Sequence, residues 1–338
     1  MLPHDQTSVD LYLSGIKEEW ESKKDLLSEV VTLYLGGGTP SLLTVKQLEY
    51  LLNFLPHGEE ITIEANPDDV TLEKMQSYKA LGVNRVSIGV QSFDNGSLQT
   101  IDRIHDAEKA IDAIETTYKA GIENITIDLM YDLPGQTLSS WKRSVDRATA
   151  LPITHLSLYN MTIEEGSLYQ KNKKLISSQM PKDDQSLKML QYATKTLEES
   201  GLARYEISAF CKPGFESKHN LGYWIGRSFL GLGPSAFSYY QGRRFRNIRH
   251  LKKWKRAIEQ KVEPIDFEEE LQYPNDLLEL FAVRLRLKEG VYISDFPGLP
   301  EETLKKLSKH PLIELKDGFA RLSEKGKLFY DDVASDLI

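Results

Sequence analysis

One cysteine, Cys211, stands in 338 residues. A single thiol excludes an internal disulfide framework, a four-thiolate zinc site and a thiolate-held iron–sulfur cluster built from these residues alone. It suits a reducing compartment. Positive charge is also short: 42 Lys and Arg face 50 Asp and Glu, a formal balance of −8. A general nucleic-acid binder usually carries the opposite balance, so no nucleic-acid partner is expected. No apolar run approaches the roughly 18 residues of a membrane span, so no transmembrane segment is expected. The opening Met1-Leu2-Pro3-His4-Asp5 has no basic stretch and no long apolar core, which speaks against a secretory signal. The expected location is cytoplasmic. No low-complexity segment interrupts the chain. The remainder is ordinary for a globular protein, at 40% hydrophobic and 27% charged. At roughly 150 residues per domain, the length allows about two domains.

Short β-rich runs alternate with helical patterns along the first half. The expected strands are Val30–Leu35, Glu60–Glu64, Arg85–Val90, Asn124–Leu129 and His155–Tyr159. Their starts lie 30, 25, 39 and 31 residues apart, the length of a βα unit. Helices fit the gaps: Thr44 can cap Val45–Phe54, Thr71 can cap Leu72–Leu81, Asp106 can cap Ala107–Ala120, and Thr137 can cap Leu138–Leu151. This alternation implies a parallel sheet covered by helices. Five units are too few for a closed eight-stranded barrel, so a partial barrel or an open sheet is expected. A helix over Ser8–Ser22 precedes the first strand, as though a strand were missing in front of Met1.

Past Tyr159 the rhythm changes. A long helix spans Asp183–Ser200, followed by strand-like runs over Tyr205–Phe210 and Gly231–Tyr240 and a basic stretch over Arg243–Arg256. Leu277–Leu287 and Glu301–Lys309 read as helices, and Ile313–Leu315 with Phe319–Leu322 as a hairpin through Asp317-Gly318. A last helix runs from about Ser323 to the end. The expected division is residues 1–245, a partial barrel with its extension, and residues 246–338, a small helical, winged-helix-like α+β domain.

In parallel α/β folds, ligands bind at the carboxyl ends of the strands. Those ends carry Gly36-Gly37-Gly38-Thr39-Pro40, Glu64-Ala65-Asn66-Pro67, Gly89-Val90-Gln91-Ser92, Asp128 with Asp132-Leu133-Pro134-Gly135-Gln136-Thr137, and Tyr159-Asn160. Three glycines in a row let a ligand approach the backbone closely. The plainer alternative is a tight turn, for which one glycine suffices. A phosphate-cradling loop is weakened because no Gly-Lys-Ser/Thr follows. Glu64, Gln91 and Asp128 suit ribose hydroxyls or an ammonium group, and Arg103 suits a carboxylate. Each alone is commonly structural; together they converge on one face.

The ordered set Leu35-Gly36-Gly37-Gly38-Thr39-Pro40-Ser41, Glu64-Ala65-Asn66-Pro67, Ser87-Ile88-Gly89-Val90-Gln91-Ser92-Phe93, Arg103-Ile104-His105 and Asp128 to Thr137 resembles the oxygen-independent coproporphyrinogen III oxidase-like radical S-adenosylmethionine proteins. Within that group, Tyr205-Glu206-Ile207-Ser208, His219-Asn220-Leu221-Gly222-Tyr223-Trp224 and Gly231-Leu232-Gly233 resemble the HemW-type haem chaperone branch. Leu287-Lys288-Glu289-Gly290 and Leu322-Ser323-Glu324-Lys325-Gly326 fit as well, so the resemblance covers nearly the whole chain. It implies a partial (β/α)6 radical-SAM barrel, here lacking its first strand. It also implies S-adenosylmethionine bound by Gly37, Gly38 and Thr39 at the methionine amino end, Arg103 at the carboxylate, Gln91 and Asp128 at the ribose, Glu64 nearby and Met161 against the adenine. Haem or a porphyrinogen is the implied partner, with a haem-acceptor protein beyond it. His219 is a candidate axial ligand, with Asn220, Tyr223 and Trp224 beside it. A hydrogen-bonded His–Asn pair with aromatic packing is the plainer alternative. The basic residues of Arg243–Arg256 suit propionates, or else form a solvated face with Trp254 inward.

The family also places a Cys-x3-Cys-x2-Cys loop, holding a [4Fe–4S] cluster, after its first strand. That loop is absent here, and Cys211 cannot replace three ligands. The missing strand and the missing loop coincide, so an N-terminally truncated chain is the simplest expectation and a natural cluster-free relative the alternative. Asp102 and Asp132 also stand where the family usually has glycine. The expected function is that of a haem chaperone, inactive in radical chemistry as the sequence stands. The alternatives are a coproporphyrinogen III oxidase forming protoporphyrinogen IX, or an unrelated α/β enzyme binding a phosphate.

Overall fold

The structure, a computed structural model, describes residues 5–27, 29–163 and 173–338. It contains two compact units: Thr32–Lys46 with His57–Ser217, and Met1–Val31 with Gln47–Pro56 and Lys218–Ile338.

The first of these is built on β1 (Thr32–Leu35), β2 (Glu60–Ala65), β3 (Arg85–Gln91), β4 (Asn124–Tyr131) and β5 (His155–Asn160). Strands β2 and β3 alternate apolar with polar residues yet are buried on both faces, as in a covered parallel sheet. All five pair in parallel and in sequence order, with β1 at one edge. Their carboxyl ends therefore lie on one side. Beyond β5 the sheet continues antiparallel through β7 (Ala209–Cys211) to β6 (Ala203–Arg204).

Three of the expected caps form. Thr71 accepts from the Lys74 amide at 3.3 Å, Asp106 from Lys109 at 2.8 Å and Thr137 from Ser140 at 3.1 Å. Each meets one of the otherwise unpaired donors of a helix start. At the amino ends of the strands sits Arg85, only 2% exposed. Its Nε donates to Glu60 Oε2 at 2.9 Å, one terminal nitrogen donates to Thr126 at 3.0 Å, and the other donates to the carbonyls of Phe215 and Glu216 at 2.8 and 3.1 Å.

The structure corrects the reading past residue 200. Tyr205-Glu206-Ile207-Ser208 is not part of a strand but the turn between β6 and β7, closed by Glu206 Oε1 accepting from the Ser208 amide at 2.8 Å. Of the run Gly231–Tyr240, only β8 (Phe237–Tyr240) is strand. The basic stretch divides into β9 (Arg243–Asn247) and the helix Leu251–Glu259, and β9 pairs with β8 and with β10 (Ile265–Glu270). Strand β10 had no apolar alternation to announce it. It is held by charge: Arg243 meets Glu268 at 2.7 Å, Arg244 meets Glu269 at 2.6 Å and also Glu279, and Arg246 meets Asp266 at 2.8 Å. These arginines are neutralised within the fold, and Trp254 is fully buried. Trp254 is inward as the plainer alternative has it, but Arg243, Arg244 and Arg246 lie on a strand and not on a solvated helix face.

In the second unit, the helix Gln6–Lys23 carries a buried carboxylate, Glu19. It accepts from Lys23 Nζ at 2.6 Å, the Gly233 amide at 2.8 Å, Asn247 Nδ2 at 2.7 Å and Trp254 Nε1 at 3.2 Å. The C-terminal module follows: helices Asn275–Arg284 and Glu301–Lys309 with the sheet β11 (Val291–Tyr292), β13 (Phe319–Leu322) and β12 (Ile313–Lys316), in that spatial order. The β12–β13 turn is Asp317-Gly318, both left-handed at φ 52° and 80°, as a two-residue hairpin requires. The expected last helix breaks at Phe329 into Glu324–Leu328 and Tyr330–Leu337.

Removing Glu19 would leave three side-chain donors buried without their acceptor. Glu19→Ala should cost about 3 kcal/mol or more, read as a lowered urea midpoint.

Candidate functional site

The parallel register brings the strand-end residues together. Asp128 on β4 lies opposite Ser157 on β5, whose hydroxyl donates to its carboxylate. Burial pushes the Asp128 carboxyl up to about 7; the Ser157 hydrogen bond opposes this, Glu64 adds to it and Arg103 opposes it. Glu64 on β2 accepts from Tyr34 Oη at 2.8 Å and from the Gly37 amide at 3.2 Å. Tyr159, at the end of β5, feels the charges of both Asp128 and Glu64, and burial raises its phenol above the usual range. Glu64, Asp128 and Arg103 thus form one electrostatic cluster with Tyr34 and Tyr159.

Gln91 closes β3 after a register shift between Ile88 and Gln91. Its backbone is left-handed, at φ 60°, and its buried Oε1 has no hydrogen-bond partner among the described residues. A left-handed, non-glycine residue with an unmet buried acceptor calls for an explanation beyond packing. Arg103 follows the helix Asn95–Thr100. Two residues on, buried His105 donates from Nε2 to the Val90 carbonyl at 3.1 Å, tying the arginine's loop to the end of β3. Burial lowers the imidazole's pKa, which keeps the ring neutral.

The three glycines have three different reasons. A methyl at Gly36 would lie 2.5 Å from Tyr34 Cε1 and 2.7 Å from Glu64 Oε1. Gly37 is left-handed, at φ 78°. Gly38 has neither constraint: it is exposed, and among the described residues, its two chain neighbours apart, no atom lies within 4 Å of the place its methyl would occupy. Thr39 leads into the short helical turn Pro40–Leu42 through its carbonyl, which accepts from Leu42. Met161 is buried, with its amide on the Tyr131 carbonyl at 3.0 Å.

The two departures from the resembled family share one cause. Asp102 and Asp132 both have positive φ, 53° and 64°. Glycine suits such positions, and aspartate is among the residues that tolerate them. Asp132 also accepts from Asn160 Nδ2 at 2.7 Å, joining the ends of β4 and β5.

The remaining candidates lie on the helix Lys218–Trp224 of the other unit. His219 Nε2 and Tyr223 Oη are 2.8 Å apart, one helical turn along the chain. Tyr223 packs edge-on against Phe229 with ring centroids 4.6 Å apart, and Arg286 lies 4.3 Å over the Trp224 ring. Asn220 belongs to the same helix. Sequence reasoning passed over Tyr34, Ser157 and His105. For Tyr34 a signal existed: it lies two residues before Gly36 on a strand, hence on the same face.

Cys211, the one thiol, lies in β7 between β5 and β6, and burial pushes it up to about 12. Among the described residues no three His, Cys, Asp or Glu side chains are placed to hold a metal ion. No helix among them is long and apolar enough to cross a membrane.

The glycine loop and Glu64, Gln91, Arg103 and Asp128 all lie within the stretch that matches a known superfamily. The profile of the Radical SAM superfamily matches residues 14–148. The heme chaperone HemW of Lactococcus lactis is 33% identical over 337 residues, 97% of this chain and 87% of that one. HemW of Bacillus subtilis is 32% identical over 342 residues, 96% of this chain and 90% of that one. The Escherichia coli coproporphyrinogen III oxidase HemN superposes with a TM-score of 0.84 at 23% identity, covering 99% of this chain and 84% of that one, a likeness of fold. The chain belongs to the HemW-type branch of the radical S-adenosylmethionine superfamily.

Asp128 gives the site a pH signature. Its folded-state pKa of about 7 lies above the roughly 3.9 of an unfolded chain. The folded state therefore holds the extra proton between these values, and stability from this group falls as pH rises from about 4 to about 7. Asp128→Asn should remove that fall, raising the urea midpoint at pH 8 relative to the unaltered chain more than at pH 5.

Proposed function

We propose that the strand-end cluster binds S-adenosylmethionine and that the chain is a haem chaperone of the HemW type, acting in the cytoplasm. The observation that carries the first part is the unfilled space beside Gly38 together with the unmet acceptor of Gln91 on the same strand-end side. The Gly37–Thr39 backbone receives the methionine amino end and the Arg103 guanidinium its carboxylate, the charge-assisted pairing for which arginine is suited. Gln91 and Asp128 take the ribose hydroxyls. With its pKa near 7, Asp128 is present both as a carboxylate that accepts and as an acid that donates. Glu64 shapes the loop at the amino end, and Met161 backs the adenine.

The residues of this sequence do not fit a [4Fe–4S] cluster. One buried, fully protonated thiol cannot stand in for three thiolates, and no step is derived through such a cluster.

The second part is carried by relatives named heme chaperones whose similarity spans nearly the whole chain. The helix Lys218–Trp224 supplies suitable chemistry for that cargo. His219 would meet haem iron through Nε2 by displacing Tyr223 Oη, which lies 2.8 Å from it. The Trp224 indole and the Arg286 guanidinium over it suit the flat ring and anionic edge of a tetrapyrrole, with Asn220 on the same helix.

Two measurements test these parts separately. Gly38→Ala should leave the unfolding free energy within about 0.5 kcal/mol of the unaltered chain, since its methyl meets no described atom beyond its chain neighbours. The same change should weaken S-adenosylmethionine binding about tenfold or more by calorimetry; an unchanged affinity refutes the loop's role. His219→Ala should weaken haem binding about tenfold or more in a titration followed at the Soret band, and equal affinity removes His219 as a ligand.

A further inference from the structure

We propose that Tyr34 is a positioning residue for the S-adenosylmethionine site: through Glu64 it holds the glycine loop in its ligand-receiving shape. This role presupposes that S-adenosylmethionine is the ligand at that loop.

Tyr34 on β1 is paired with Thr62 on β2. In parallel strands, paired residues share a face, and so do residues two further on. Tyr34, Gly36, Thr62 and Glu64 therefore line one face, with Glu64 one repeat nearer the strand ends than the phenol's backbone. The Tyr34 side chain reaches forward across that repeat, and its hydroxyl donates to Glu64 Oε1 at 2.8 Å. The other oxygen, Oε2, accepts from the Gly37 amide at 3.2 Å.

The carboxylate is thus a bridge with both ends occupied. One end is on a strand side chain and the other on the first left-handed residue of the loop. Gly36 makes the bridge possible, because a methyl there would occupy the space of Tyr34 and Glu64. A glutamate with only the loop amide to hold would be free to rotate, and the loop would lose a fixed reference on the sheet. The phenol stays a donor, since burial and the adjoining Glu64 charge both raise its pKa. The Tyr34 hydroxyl meets the Glu64 carboxylate, and it is through Glu64 that it reaches the loop.

The test is a double-mutant cycle on the full chain with Tyr34→Phe, Glu64→Ala and the pair, and it has two readouts. The first is calorimetric titration with S-adenosylmethionine. Tyr34→Phe should weaken binding about three- to tenfold, the size of one ordinary lost hydrogen bond. In the Glu64→Ala background the same change should weaken it no further. The second is hydrogen exchange at the Gly37 amide without ligand, which Tyr34→Phe should accelerate while the urea midpoint stays near that of the unaltered chain. Equal weakening in both backgrounds overturns the proposal, as does unchanged Gly37 exchange. If the unaltered chain binds no S-adenosylmethionine, the ligand assignment fails, and with it Tyr34's role toward that ligand. Accelerated Gly37 exchange would then show that the bridge to the loop stands independently.

Discussion

The guanidinium of Arg85 sets the frame on which the strand-end site depends. It is buried at the amino ends of the strands, with its donors spent on Glu60 of β2, Thr126 of β4 and two carbonyls after β7. A buried charge is tolerated only when paired and hydrogen-bonded, and this one is. The arrangement is also a register lock. A slip of β3 against β2 or β4 by one residue would break several of these bonds and turn every side chain to the opposite face. Because the strands are parallel, a lock at the amino ends decides which residues emerge at the carboxyl ends. Glu64, Gln91 and Asp128 converge because Arg85 holds their strands in step.

Much of this was readable in the chain, and for definite reasons. Strands β2 through β5 could be found where Ile, Val and Leu recur at every second position between turn residues. Helix starts need side-chain acceptors, so Thr71, Asp106 and Thr137 stood out. The failures have reasons as well. Strand β10, Ile-Asp-Phe-Glu-Glu-Glu, is held to β9 by facing charges rather than by an apolar face, and only knowledge of the pairing reveals that. The turn at Tyr205–Ser208 looks strand-like because its tyrosine and isoleucine are there for packing. Of the site, the strand ends gave Glu64, Gln91 and Asp128. The partners that orient them, Tyr34, Ser157 and His105, appear only once register and loop path are known.

The two aspartates in glycine positions show how a site can vary in sequence while keeping its shape. Both sit where the backbone is left-handed, and Asp132 gains a hydrogen bond from Asn160 that glycine cannot make. A departure from a motif is therefore best judged by the dihedral it must satisfy. By that standard neither residue disturbs the path of the chain around the ligand space.

The lone thiol has a practical consequence. Cys211 is 2% exposed, flanked on both sides by neighbouring strands, and almost wholly in its unreactive protonated form. A thiol reagent can modify it only when β7 separates from the sheet. The chain thus contains a single native reporter whose labelling rate counts the openings of that sheet, with no second cysteine to confuse the signal.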